Sequence, residues 1–356
     1  MNAVEVIVAG HICLDVFPTL AGGTALFRPG RTVEAGPVLF STGGPVSNTG
    51  LALHKLGAAT RLMGKVGDDL FGHAILDIIA SSGPGLTDGM VIAPGEASSY
   101  SIILSPPNAD RMFIHASGCN DTFGAEDVSY DLLEDARLFH FGYPPLMKRM
   151  YTNNGIELAA MLWCVKALGL TTSLDLAQPD PLSEAGQADW RAILGSTLPH
   201  VDVFSPSIEE MLLMLRRPLF DRIASGEQPI DHITPTLVSE IGQELLEMGA
   251  KIVALKLGVQ GLYLRTTNVA RLANVGRCQV DDLIAWADRE LWSPCFTAQV
   301  AGTTGAGDAT IAGLLLGLLR GMSPYDTLTA ACAVGACSVE AVDATSAVRT
   351  WPETQA

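Results

Sequence analysis

Between Thr303 and Gly321 the chain reads TTGAGDATIAGLLLGLLRG. Gly305, Ala306 and Gly307 precede Asp308, and an apolar helix is predicted from about Asp308 to Leu319, closed by Arg320 and Gly321. At such a helix start the backbone N–H groups of Ala306, Gly307 and Asp308 lack partners and carry partial positive charge, and the small residues let an anion approach. That setting suits phosphate oxygens. A carboxylate there repels a bare phosphate, so Asp308 needs a purpose of its own: it can take the proton of a hydroxyl attacking phosphorus while the amides hold the transferring group. The same residues would also serve as a glycine-rich turn closed by an Asp cap, with no chemistry at all. Other phosphate loops fit worse. The Walker pattern is absent because Gly64-Lys65 is followed by Val66, and G-x-G-x-x-G fails because Gly305 and Gly307 are followed by Thr310. A P-loop NTPase and a typical NAD enzyme are thereby disfavoured.

The elements that must position this loop alternate between strand and helix. Val4 to Ala9 is an apolar run ending at Gly10, the pattern of a buried parallel strand whose carboxyl end opens a site, which directs attention to Gly10 to Asp15. Ser47 to Leu56 carries a helical stripe, Thr60 to Val66 reads as a strand and Phe71 to Ala80 as a second helix. After residue 125 come RLFHFGY, a helix through Gly155 to Leu168, TTSLDL, VDVFSP, a helix from Ile208, KIVALKLG and the hairpin GLYLRT. This order predicts an α/β fold: a doubly wound, mostly parallel sheet flanked by helices. Two stretches stand apart. Leu14 to Leu20 with Thr32 to Phe40, around AGG and RPG turns, and the alternating YSIILS and RMFIHAS read as a small β-sheet. The expected division is therefore one core of residues 1–13, 43–97 and 119–352, with a β lid of residues 14–42 and 98–118. Pro218 to Thr236 is the least patterned segment and reads as a surface excursion.

Composition narrows the partners. The 356 residues are 48% apolar and 17% charged, enough for a large core and unlike a disordered chain. Twenty-two Lys and Arg against 38 Asp and Glu give a net charge of −16, which repels nucleic acid and anionic membranes. The longest apolar run, Ile311 to Leu319, falls far short of the roughly 18 to 20 residues that span a bilayer. Seven Cys with no C-x-x-C pair and an N-terminus without a basic leader fit a reduced, cytoplasmic protein. The seven His show no zinc spacing.

Two separated signatures together resemble the ribokinase, or PfkB, family of carbohydrate kinases over nearly the full length. One is GGPVSNTGLALHKLGAATRLMGKVGDDLFG, residues 43 to 72, which matches the family succession G-G-x-x-x-N, L-G and G-x-V-G-x-D-x-F-G. The other is the GAGD loop, about 230 residues further on. The resemblance implies ATP-dependent phosphorylation of a sugar hydroxyl. It places Asp308 as the base and Gly305, Ala306 and Gly307 as the anion hole. Asp15 in GHICLD, with Gly43, Gly44 and Asn48, falls at substrate-contacting positions, where two glycines let a polyol near the backbone and an amide both donates and accepts. For Asp15 and Asn48, turn chemistry and helix capping are the bland alternatives. Asn120 in SGCN corresponds to a lid-side substrate element, while Asp68 and Asp69 are expected to be structural or solvated.

On the nucleotide side KLGVQG resembles T-L-G-x-x-G, so Gly258 and Gly261 carry over. Lys256 replaces the usual hydroxyl residue, where its charge contacts a phosphate or merely flanks the strand. SPSIEE resembles P-N-x-x-E, with Glu210 linked to Mg²⁺ through water and Ser207 in place of the usual Asn. Two departures stand out. Gly302 replaces the Asp of D-T-x-G-A-G-D, and VEAVDATSA lacks the usual Gly-Ala turn, so potassium activation is not expected. The helix AACAVGACSV, with its Cys332 and Cys337, reads as close packing. The resulting expectation is a sugar kinase using ATP and Mg²⁺, with a homodimer paired through the lid sheet. A nucleoside kinase, or a binding protein without catalysis, are the alternatives. Apolar surface beside Asp15 would favour a nucleoside.

Overall fold

A computed structural model of the chain describes residues 4–20, 29–30, 32–105, 112–226 and 232–356. Its strands are β1 (Val6–Gly10), β2 (Cys13–Leu20), β3 (Ala35–Gly43), β4 (Thr60–Met63), β5 (Lys65–Gly67), β6 (Val91–Ala93), β7 (Tyr100–Leu104), β8 (Met112–Ala116), β9 (Leu138–Gly142), β10 (Thr171–Leu174), β11 (Val203–Phe204), β12 (Ile252–Lys256), β13 (Leu262–Thr266) and β14 (Glu290–Ser293). The main sheet has the order β14-β13-β12-β11-β10-β9-β1-β4. It is parallel from β12 to β4, and β13 and β14 add antiparallel.

Burial on both faces explains the continuous apolar strands. Along β1, Val6 and Val8 join one core cluster while Ile7 and Ala9 join the other. The first cluster is covered by helices that include Pro45–Lys55 and Ala306–Leu319, the second by Ile156–Ala167 and Pro235–Met248. The predicted doubly wound sheet is thus present. Helix Ala306–Leu319 is buried nearly all round. It accepts close neighbours through glycine: a Cβ on Gly313 would stand 2.8 Å from the Ala331 Cα, and one on Gly317 2.8 Å from Thr327.

A separate four-stranded sheet has the order β3-β2-β7-β8. The two β-prone stretches therefore meet in one sheet; the AGG turn at residues 21–23 lies outside the described residues. Pro218 to Thr236 departs from expectation. Its first part belongs to helix Arg217–Ala224, started by Pro218 in the first turn, and its end opens helix Pro235–Met248, capped by Thr234. The short ladder of β5 with β6, and strand β14, carry too few residues to show a period in the sequence.

Parallel strands β1 and β9 lie side by side, and both end in glycine. In an open parallel sheet the crevice forms at the carboxyl ends, where the strand order reverses, and here β1 has β4 on one side and β9 on the other. Gly10 has φ +125°, and a Cβ there would lie 2.3 Å from the Gly142 carbonyl oxygen. Gly10→Ala combines a left-handed backbone with a backbone clash, so we expect a loss of about 3 kcal/mol, read as a lower urea midpoint at unchanged slope.

Candidate active site

Asp308 is the third residue of helix Ala306–Leu319, whose N-cap Gly305 has φ 74°. A Cβ on Gly305 would collide with Ala344 at 2.2 Å, so only glycine makes this turn. The carboxylate is 2% exposed and holds three side-chain donors. Asn48 Nδ2 donates to Oδ2 at 2.9 Å, the Tyr143 hydroxyl to Oδ2 at 2.8 Å, and Thr49 Oγ1 to Oδ1 at 3.3 Å. Burial raises its pKa above the usual carboxylate range, against the opposing pull of Asn48, Lys256, Tyr143 and Thr49. Asp308 sits beneath a cavity of about 680 Å³ whose lining includes Asn48, Tyr143, Thr304 and Gly305.

Across that cavity stands the small sheet. Asp15 on β2 is paired in register with Ser41 on β3 and Ser101 on β7, and Ser101 with His115 on β8. This row is polar: Cys13 Sγ donates to Asp15 Oδ1 at 3.3 Å, and Ser101 Oγ bonds His115 Nδ1 at 3.0 Å. Burial lifts the Asp15 pKa to about 6, opposed by hydrogen bonds from Cys13 and Ser101. Gly43 and Gly44 serve the protein's own side chains. A Cβ on Gly43 would lie 2.4 Å from Asp15 Oδ2, and one on Gly44 2.5 Å from the His11 carbonyl oxygen. Gly44 also lines the cavity.

Asn120 lies under the junction of β1 and β2. It is 0% exposed, its Oδ1 accepts from the Ile12 N–H at 3.2 Å, and its Nδ2 donates to the carbonyls of Ile12 and Ser117. The amide fastens the backbone between β1 and β2. Asp69 is structural as expected: it caps helix Leu70–Ser82 and holds Ser98. Within the loop, the Ala306 N–H turns back to the Thr303 carbonyl at 3.3 Å. Gly307 and Asp308, second and third in the helix, are the positions without a partner inside it.

Four site residues escaped the sequence reading. His11 follows β1, lines the cavity at 2% exposure and has no partner at either ring nitrogen among the described residues. Burial keeps it neutral by lowering its pKa, so it offers one donor and one acceptor. Tyr143 follows β9 with φ 63°. Asp175 follows β10 and His140 lies within β9, both fully buried. His140 Nδ1 bonds Ser173 Oγ at 2.9 Å and its Nε2 is 3.6 Å from Asp175 Oδ1. Burial, with the nearby Lys256 charge, drops the His140 pKa to about 3. For His11, Tyr143 and Asp175 a shared position at strand carboxyl ends was the available signal.

Lys256 ends β12. Its Nζ is 4.0 Å from Asp175 Oδ2 and 3.5 Å from where a Cβ on Gly307 would stand, so its charge lies beside Gly307. Burial raises the Asp175 pKa, and Lys256 opposes that rise. Glu210 closes a capping box with Ser207, accepting the Ser207 N–H at 2.7 Å. The Gly258 carbonyl accepts from Cys295 Sγ at 3.3 Å, and a Cβ on Gly261 would strike the Ser293 carbonyl at 2.0 Å, which binds this turn to the end of β14. From the next residue a groove of about 750 Å³ runs between Phe296–Ala298 and Ala330, Ala333 and Ala336 of helix Pro324–Ser338.

The sequence profile of pfkB family carbohydrate kinases matches residues 5–351. The chain belongs to this family. Among curated relatives it is 24% identical over 320 residues to "Probable fructokinase-6, chloroplastic" of Arabidopsis thaliana, covering 89% of this chain and 71% of that one. It is 26% identical over 272 residues to an uncharacterized sugar kinase of Archaeoglobus fulgidus, covering 76% and 87%. Solved structures show the same ribokinase-like fold. An Arabidopsis thaliana ribokinase complexed with ribose and ATP aligns with TM-score 0.76 at 19% identity over 99% of this chain and 98% of that one. A fructokinase of Xylella fastidiosa with bound ATP aligns with TM-score 0.70 at 19% identity over 98% and 97%. A nucleoside kinase of Methanocaldococcus jannaschii aligns with TM-score 0.67 at 16% identity over 100% and 98%. As a family member the chain is a carbohydrate kinase, a phosphotransferase.

Proposed function

We propose that this kinase transfers the γ-phosphoryl group of ATP to a hydroxyl of a sugar held between Asp15 and Asp308. One observation carries the reading: the buried Asp308 is held by Asn48 and Tyr143, which both line the cavity, and it follows Gly307, whose Cβ position lies 3.5 Å from Lys256 Nζ. The sugar hydroxyl loses its proton to Asp308 as its oxygen bonds to the γ-phosphorus. The bond from phosphorus to the bridging oxygen breaks, and its electron pair leaves with ADP. Lys256 and the free amides of the loop neutralise charge on the moving group. Asp15, His11 and Ser101 orient the ring by hydrogen bonds. Residues 14–42 and 98–118 act as a lid that excludes water.

The adenine ring lies in the groove beyond Gly258, where alanines give a flat wall and Phe296 a stacking face. Gly258 and Gly261 shape the approach to it. Mg²⁺ suits this donor set. The ion would be held chiefly by triphosphate oxygens and water. Glu210 would meet one such water through the carboxyl oxygen that Ser207 does not occupy. When bound, the ion supplies charge neutralisation on the phosphates.

The row beside Asp15 is polar, which favours a sugar. The next cavity-side pair, Ile103 and Phe113, gives a base some surface, so nucleosides belong in the test. On the other side of the same sheet Val38, Phe40 and Ile114 are 45%, 51% and 53% exposed, and we assign pairing of two copies to this apolar face. No helix among the described residues is long and apolar enough to cross a membrane, and all seven cysteines are free. A cytoplasmic setting accords with the unpaired thiols. The test is ADP release with Mg²⁺ and ATP over a panel of sugars, sugar acids, polyols and nucleosides. Sugars should exceed the no-acceptor rate at least tenfold. A panel in which only nucleosides respond overturns the sugar reading, and one in which nothing responds overturns the kinase reading.

A further inference from the structure

Lone pairs on Asp308 are limited. A carboxylate oxygen has about two acceptor positions in its plane, and Oδ2 already receives two donors, Asn48 Nδ2 at 2.9 Å and the Tyr143 hydroxyl at 2.8 Å. Both donors line the cavity, whereas Thr49, which holds Oδ1, is 0% exposed. Oδ2 is therefore the oxygen that a substrate can meet, and it is fully engaged.

One donor must leave before a sugar hydroxyl can hand its proton to that oxygen. Asn48 lies within the first turns of helix Pro45–Lys55, fixed by its backbone bond to Gly44 at 2.8 Å. Tyr143 instead follows the last residue of β9 in a left-handed conformation, φ 63° and ψ 41°, that a residue with a Cβ rarely adopts. Its ring reaches across the cavity floor beside His11, centroids 6.2 Å apart.

We propose that Tyr143 is a placeholder: its hydroxyl occupies the position on Asp308 Oδ2 that the attacking sugar hydroxyl takes, and it keeps water off the base until the sugar displaces it. This deepens the kinase reading above and rests on it. Tyr143 is on this view a positioning residue, removed from the base before transfer.

Tyr143→Phe keeps the ring and deletes the donor, and Tyr143→Ala also opens space for water. Calorimetry should show the best sugar of the panel binding Tyr143→Phe between about ten- and a hundredfold more tightly than the parent, because a hydrogen bond to a charged group no longer has to be broken. The gain should shrink to between about two- and tenfold in an Asp308→Asn background, where the bond given up is not to a charge. Tyr143→Ala should release ADP without sugar at least several times faster than the parent. Equal or weaker sugar binding by Tyr143→Phe, with its melting temperature unchanged, overturns the placeholder and makes Tyr143 a substrate contact. The same gain in both backgrounds also overturns it. Sugar bound by neither parent nor variants, with no ADP formed, brings down the kinase reading itself.

Discussion

Asp308→Asn should lower turnover of the best sugar by between about a hundred- and ten-thousandfold, the usual worth of a positioned general base. Its fold should survive. An asparagine oxygen in place of Oδ2 can still accept from Asn48 and Tyr143, and its amide can donate to Thr49, whose hydroxyl is free to rotate. ATP binding should therefore match the parent within error. The melting temperature should be at or above the parent's, because the raised pKa marks a carboxylate held ionised at a cost to the fold, which separates a lost base from a lost structure. The parent's pH profile supplies a second check. Because burial raises the Asp308 pKa, and only the ionised carboxylate accepts a proton, kcat/KM should fall with decreasing pH at values above the ordinary carboxylate range. Parent-like turnover by the variant would remove Asp308 from the mechanism.

Asp15→Asn should have opposite effects on affinity and stability. A folded-state pKa raised from 3.8 to about 6 means that the folded protein holds this proton more tightly than the unfolded chain does. Stability from that difference is complete below the unfolded value and lost as pH rises through about 6. At 1.36 kcal/mol per pH unit the displacement is worth about 3 kcal/mol. At pH 8 the asparagine variant should thus unfold at a higher denaturant concentration by up to that amount, and below pH 4 the advantage should vanish. Its KM for sugar should rise between about ten- and a hundredfold, the loss of a charged acceptor for substrate hydroxyls. A variant that is less stable at pH 8, or whose KM is unchanged, would mean that the carboxylate packs rather than binds. This is the trade expected where a functional group is held at a cost to the fold.

The reacting loop was legible because its chemistry is local. A glycine-flanked carboxylate at a helix start needs no distant partner to be recognised, and Asp308 and Gly305 stand at such a start. The alternation of strands and helices was legible for the same reason. His11, Tyr143 and Asp175 were not, since their roles depend on which strands become neighbours. Only when β9 lies between β1 and β10 do the residues that follow these three strands share one edge. Asn120 shows a limit of local signatures, because an amide that fastens Ile12 reads the same as one that meets a sugar. Glu210 shows the same limit: its spacing from Ser207 matches both a capping box and a metal-linked acid. For Lys256 the sequence allows two meanings, and its closeness to Gly307 depends on where β12 lies in the sheet.

Asn48 and Thr49 meet their acceptor across 260 and 259 positions of chain. At roughly 5 to 20 residues per second on the ribosome, these two groups wait on the order of 13 to 52 s for Asp308 to be made. During that interval the apolar face of Pro45–Lys55 has no cover from Ala306–Leu319, the helix that seals it in the finished molecule. A nascent chain stopped short of Leu319 would thus present an open hydrophobic seam, and chaperone capture during synthesis should end as that helix clears the exit tunnel.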